Sequence, residues 1–82
     1  MIFLVDYDRA VGRLATMRSF HDSQRKEAAE ARLALEIDLN QRGVEHEVVL
    51  LEAATEDALR QTHRRYFESV QELARAHNPS QN

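Results

Sequence analysis

Two carboxylates near the start of the chain are the first residues whose type and spacing could do chemistry. Asp6 and Asp8 are two positions apart, so on a strand they share a face, and Glu52 closes a later apolar run. Carboxylate oxygens are the ligands that Mg²⁺ prefers. The competing interpretation is structural, with Asp8 facing Arg13 across a hairpin. We favour it, because a carboxylate pair is a weak signal in a chain with 14 acidic residues. We expect no metal and no cofactor.

The four histidines do not form a metal-binding motif. Zinc needs three or four ligands in one cluster. His63 and His77 are fourteen positions apart, or about 21 Å along a helix, so they cannot share an ion within one chain. His46 lies between two glutamates, and the fourth histidine is His21. With no cysteine in the sequence, disulfides and thiolate sites are excluded.

No side chain has the local sequence of an activated nucleophile. The serines lack an elbow motif, and the two glycines, Gly12 and Gly43, cannot form a glycine-rich phosphate loop. We therefore assign no catalytic residue and expect a protein that is not an enzyme.

Three arginines on the C-terminal segment give an alternative function. Arg60, Arg64 and Arg65, followed by Tyr66 and Phe67, fit a nucleic-acid-associated regulator that contacts phosphates. The net charge of −3 gives no overall attraction to a phosphate backbone. Glutamates at helical spacing also favour a solvated, salt-bridged face, so nucleic acid is not our preferred partner.

The first predicted element is a β-hairpin over residues 2–20. A four-residue turn, Arg9-Ala10-Val11-Gly12, with glycine at its end joins the two strands. A third strand spans Val44 to Ala53, and its apolar half has aliphatic side chains on both faces. The predicted hairpin register places Asp8 opposite Arg13, Tyr7 opposite Leu14, Val5 opposite Thr16, and Leu4 opposite Met17.

Two helices complete the prediction. The first begins at Asp22 or Ser23 and ends at Gly43. The second begins at the cap Thr55 and stops at Asn78-Pro79. The first helix has two apolar stripes on nearly opposite sides, an inner one (Ala28, Ala31, Leu35, Leu39) and an outer one (Ala29, Leu33, Ile37). The second helix has one buried stripe, made of Leu59, His63, Tyr66, Val70, Leu73 and His77.

These elements predict an α+β fold in the order ββαβα. A three-stranded mixed sheet, formed by the N-terminal hairpin and one crossover strand, packs with two helices. Residues 1–78 form a single domain, and residues 79–82 a frayed tail. No apolar run approaches the roughly 20 residues of a membrane span. The opening Met1–Val5 is too short for a signal-peptide core, so we expect a cytoplasmic protein without membrane contact.

The predicted elements carry more apolar surface than one small domain can cover. Helices on one face of the sheet leave the other face bare, whereas helices on opposite faces leave the outer stripe of the first helix bare. We therefore expect a non-enzymatic interaction module with a protein partner. That partner is a second copy in a homodimer, or a larger protein that this chain caps as an inhibitor or immunity-type factor. The predicted interface residues are Ala29, Leu33, Ile37, Val49 and Leu51.

Overall fold

The structure is a computed structural model that describes residues 1–68. Its elements follow the predicted order and confirm the α+β fold. The strands are β1 (Ile2–Asp8), β2 (Arg13–Phe20) and β3 (Glu47–Glu52), and the helices are α1 (Arg25–Gln41) and α2 (Glu56–Thr62). A single 3₁₀ turn at Asp22–Gln24 precedes α1, and another at Arg64–Tyr66 follows α2.

The three strands form one open sheet in the order β2-β1-β3. β1 pairs antiparallel with both neighbours, so the sheet is antiparallel throughout rather than mixed. β2 and β3 do run in the same direction, as the crossover through α1 requires, but β1 lies between them. β3 is also shorter than predicted and begins at Glu47 instead of Val44.

The hairpin register is as predicted near the turn and differs by one residue beyond it. Asp8 pairs with Arg13 and Tyr7 with Leu14, but a bulge between Asp6 and Tyr7 then shifts the pairing. Ala15 is the extra residue. The predicted Val5–Thr16 and Leu4–Met17 pairs are therefore wrong, and the partners are Met17 and Arg18. The bulge brings Thr16 opposite Asp6, where its hydroxyl donates to the carboxylate at 3.5 Å.

β1 is the centre of the molecule and is buried on both faces. On one face its side chains pack with α2 and the turn after it, and on the other they pack under α1. The first cluster contains Phe3, Val5, Tyr7, Leu59 and Tyr66. The second contains Ile2, Leu4, Phe20 and Ala28. The two helices therefore lie on opposite faces of the sheet, which is the second of the two predicted arrangements.

α1 ends as predicted and buries its inner stripe. Ala28 and Leu39 are buried, and Ala31 and Leu35 pack against the second cluster. Gly43 follows the helix with φ +69, a left-handed conformation that side chains with a Cβ rarely adopt.

α2 begins as predicted but ends much earlier. The Thr55 hydroxyl accepts the Ala58 N–H at 3.1 Å and caps the helix. The predicted continuation through His63 is wrong, because His63 has φ −126 and ψ 50 and the chain turns there. Tyr66 then enters the core, where its ring meets Tyr7 edge-on at 5.2 Å. The predicted Val70, Leu73 and His77 of the stripe, and the tail at 79–82, lie outside the described residues.

No helix within residues 1–68 is long and apolar enough to cross a membrane.

Two valines test how far stability depends on β1. Val5 is fully buried and Val11, in the hairpin turn, is 59% exposed. We expect Val5→Ala to lower the free energy of unfolding by about 2–3 kcal/mol through the cavity it leaves. Val11→Ala should change it by less than about 0.5 kcal/mol. Urea unfolding at one protein concentration measures both, and equal costs would contradict the central position of β1.

Candidate interaction surface

The outer stripe of α1 stays exposed. Leu33 is 58% exposed and Ile37 49%, and Ala29, one turn before Leu33, is exposed as well. Within the described residues, the other large exposed apolar side chains are Met1 and Val11, at the chain start and in the hairpin turn. Apolar side chains are thus concentrated on this side of α1, as the two-stripe pattern predicts.

The other two predicted interface residues are on the opposite side of the sheet. Val49 and Leu51 share a face with Phe3 and Val5 and are half-buried against the cluster under α2. The structure therefore does not bring the five predicted residues together, because α2 covers the face that β3 shares with this cluster. Leu33, Ile37 and Ala29 form one surface without them.

A groove adjoins the outer stripe along the free edge of β3. It has a volume of ≈ 230 Å³ and is lined by Ala29, Arg32, Leu33, Glu36 and Leu50. Arg32 and Glu36 form an ion pair at 2.8 Å along the α1 wall of the groove. Leu50 points toward α1 and is half-buried. Sequence reasoning missed Leu50 as a surface residue, although the alternation of β3 already placed it opposite Val49 and Leu51.

The carboxylates of Asp6 and Asp8 both face the imidazole ring of His46, which occupies the position between them. Asp6 is 4% exposed, and its carboxylate lies 2.7 Å from His46 Nδ1. Asp8 Oδ2 lies 3.5 Å from Nε2 of the same ring. Asp8 also accepts the Ala10 N–H at 3.0 Å in the turn. The predicted third carboxylate, Glu52, instead pairs with Arg25 at 2.8 Å.

This arrangement ties the end of β1 to the residue that precedes β3. Residues 1–68 contain no group of three or more histidine, aspartate or glutamate side chains placed to hold a metal ion. Sequence reasoning missed His46 as the partner of Asp6. The available signal was that a carboxylate within an apolar strand needs a hydrogen-bonding partner once it is buried.

Glu47, the first residue of β3, anchors the turn after α2. It accepts a hydrogen bond from the Tyr66 hydroxyl and lies 3.1 Å from the Arg65 guanidinium. Burial raises the pKa of the Tyr66 phenol above its ordinary value of 10.0. The hydrogen bond that the phenol donates to Glu47, and the negative charge of that carboxylate, raise the pKa further. Glu47 thereby holds the redirected chain against the sheet.

The arginines of the alternative nucleic-acid surface are all paired within the chain. Arg60 meets Glu56 at 3.1 Å, and Arg64 meets Glu68 at 2.8 Å. The hydrogen bond to Glu68 raises the pKa of the Arg64 guanidinium. Arg65 pairs with Glu47 and lies over the Tyr66 ring at 4.8 Å. The salt-bridged face that the sequence favoured is therefore present at these positions.

Comparisons of the chain with protein-family models, with curated proteins and with solved structures found no match.

Removal of the His46 ring tests the buried pair. His46→Ala leaves the Asp6 carboxylate buried without its closest partner, so we expect the free energy of unfolding to fall by about 3 kcal/mol. Glu45→Ala, at the exposed neighbouring position, should cost less than about 0.5 kcal/mol. Adding Asp6→Asn to His46→Ala should restore part of the loss, because the amide carries no charge. Urea unfolding checks all three variants, and equal costs for His46 and Glu45 would contradict the assignment.

Tyr66 makes stability fall in alkaline solution. Since its pKa is raised in the folded state, the unfolded chain loses the phenol proton first as pH increases. The stability that the protonated Tyr66 phenol contributes is fully present below pH 10.0, the ordinary pKa. It is lost as pH rises through the folded-state pKa. We expect a late component in the tyrosinate absorbance titration that Tyr66→Phe removes. Tyrosinate absorbance with no late component in the unmodified protein would show that the phenol is not buried.

Proposed function

We propose that this protein is a non-enzymatic protein–protein interaction module that self-associates through the outer stripe of α1. The observation that carries the proposal is the exposure of Leu33 and Ile37, at 58% and 49%, on a helix whose inner stripe is already covered by the sheet. Concentrated apolar surface on a small domain is typical of an interaction site. A larger protein that this chain caps, as an inhibitor or immunity-type factor, would use the same stripe.

Two features of the described residues support this function over an enzymatic one. The buried Asp6–His46 pair has a structural use, because it joins β1 to the start of β3. The second histidine of interest, His63, has its Nδ1 2.9 Å from the neighbouring Thr62 hydroxyl. The Thr62 hydroxyl also lies 3.0 Å from the Ala58 carbonyl, to which it donates, so this contact belongs to the last turn of α2. With no cysteine in the chain, a reducing compartment suits the protein, and we propose the cytoplasm.

The nucleic-acid alternative receives less support. Its three arginines, Arg60, Arg64 and Arg65, each lie within ion-pair distance of a glutamate. A phosphate would have to displace those carboxylates, which weakens the attraction that a free arginine cluster offers.

The stripe by itself gives only weak self-association. Full burial of a leucine or isoleucine contributes roughly 1.5–3 kcal/mol. Leu33 and Ile37 are about half exposed, so covering them in both copies contributes roughly 3–6 kcal/mol. Association costs about 4–15 kcal/mol in lost translational and rotational freedom. A stable dimer therefore needs further contacts beside the stripe.

Charge placed on the stripe tests the proposal. We expect Leu33→Asp combined with Ile37→Asp to shift the mass in solution to that of a monomer, because each copy would then bury two carboxylates. The matched control is Ala34→Asp with Gln41→Asp, which adds the same charge at exposed positions about a quarter turn around α1 from Leu33. Sedimentation across a protein concentration series measures the mass, and circular dichroism verifies that both variants fold. A monomeric unmodified protein, or equal dissociation by both pairs, would overturn self-association through the stripe.

A further inference from the structure

We infer that two copies pair edge to edge through β3, in antiparallel orientation, and form one continuous six-stranded sheet across a two-fold axis. This inference rests on the proposed self-association and deepens it, because it names the second copy as the occupant of the β3 edge and supplies the contacts that the stripe lacks.

The two edges of the sheet differ in how they are protected. β2 carries a bulge at Ala15 and exposed Arg13 and Arg18, which are devices that discourage a further strand from pairing. β3 pairs with β1 without any register shift, and its centre is the uncharged run Val48–Leu51. In the part of the chain that the structure describes, nothing pairs with the outer side of β3. An edge with neither a bulge nor a charge at its centre lacks these devices and pairs more readily with another strand.

The hydrogen-bond alternation fixes which backbone groups face this edge. Met1 and Ala53 exchange two hydrogen bonds, at 2.9 and 3.1 Å. Bonded and non-bonded pairs alternate along an antiparallel ladder, so Val5–Val49 is a bonded pair and Leu4–Leu50 is not. The N–H and C=O groups of Val48, Leu50 and Glu52 therefore point away from β1, toward the open edge.

Edge pairing also brings the two α1 helices into contact. α1 lies over β1 and β3, so its axis is displaced from the shared edge by about one strand spacing, ~4.8 Å. Two-fold pairing then places the axes of the two helices about 10 Å apart, close to the 8–10 Å at which helices pack. The surfaces that meet include Ala29 and Leu33, and the small Ala29 side chain permits the approach.

The charges on this surface suit a second copy. Arg32 and Glu36 line the same groove as Leu33 and Leu50. With Leu50 opposite Leu50 of the second copy, the axis passes near Leu33, and antiparallel helices bring Arg32 of each copy toward Glu36 of the other. One positive and one negative charge on the same patch are complementary to themselves across a two-fold axis. Arg32 and Glu36 already pair at 2.8 Å within each chain, and a partner of single charge sign would repel one member of that pair.

Proline at an outward-facing position tests the edge directly. Val48→Pro removes an N–H that points to the edge and spares those that bond β1, so the fold is retained. Two N–H donors are lost per dimer, and we expect the dissociation constant to rise about tenfold to hundredfold. Ser19→Pro is the matched control. Its N–H points outward from β2 by the same alternation, and we expect the dissociation constant to stay that of the unmodified protein.

Amide hydrogen exchange gives a second measurement that does not require Val48→Pro to fold. We expect the Val48 and Leu50 amides to be protected in the unmodified dimer and to exchange rapidly in the Leu33→Asp/Ile37→Asp monomer. Rapid exchange of both amides in the dimer would overturn edge pairing, even if Val48→Pro fails to fold.

The outcomes separate this inference from the proposed function. Dissociation by Leu33→Asp/Ile37→Asp with an unchanged dissociation constant for folded Val48→Pro would mean that copies associate through α1 without a continuous sheet. That result overturns the inference and leaves self-association intact. An unmodified protein that is monomeric at every concentration overturns both, and would leave the edge to a strand of another protein.

Discussion

Burial of β1 on both faces is the constraint on which the rest of the structure depends. Ile2 and Leu4 face one way, Phe3 and Val5 the other, and all four are almost completely covered. A sheet with apolar side chains on both faces needs a layer on each. α1 supplies one layer, and α2 with the turn after it supplies the other. Because each helix is committed to its own face, no described element remains to cover the outer side of α1.

The same central strand determines where polar side chains must pair. Asp6 lies in β1 among apolar neighbours, and its carboxylate is satisfied by His46 from the segment before β3 and, more distantly, by Thr16 from β2. Three parts of the chain thus converge on one buried carboxylate. Glu47 has a similar role on the other face, where it receives the Tyr66 hydroxyl. Apolar contacts determine which face of the sheet each helix covers. The polar contacts at this end of the sheet then fix how the elements align along the strands.

Local signals in the sequence predicted the elements well and their long-range adjustments poorly. The Arg9–Gly12 turn, the Thr55 cap and Gly43 all have local causes, and each was predicted at its correct position. The bulge at Ala15 was not, because it serves a contact between Thr16 and Asp6 that exists only after the strands pair. The end of α2 was missed for the same reason. Residues 63–68 have helical periodicity, but Tyr66 instead packs against Tyr7 and donates to Glu47, and both contacts exist only in the folded chain. For the surface, helical periodicity predicted the exposed Leu33 and Ile37. Whether Val49 and Leu51 are exposed depends on which face of the sheet α2 covers, and the sequence does not show that.

The extra residue in β2 has a consequence for the size of any assembly that β3 builds. A sheet with two competent edges accepts a new copy at either end and can lengthen indefinitely, as fibrils do. Here the β2 edge is interrupted by the bulge at Ala15 and carries exposed arginines, while the β3 edge has a regular register. Joining two smooth edges consumes both and leaves only interrupted ones outside. The bulge at Ala15 and the arginines of β2 therefore limit any such assembly to two copies.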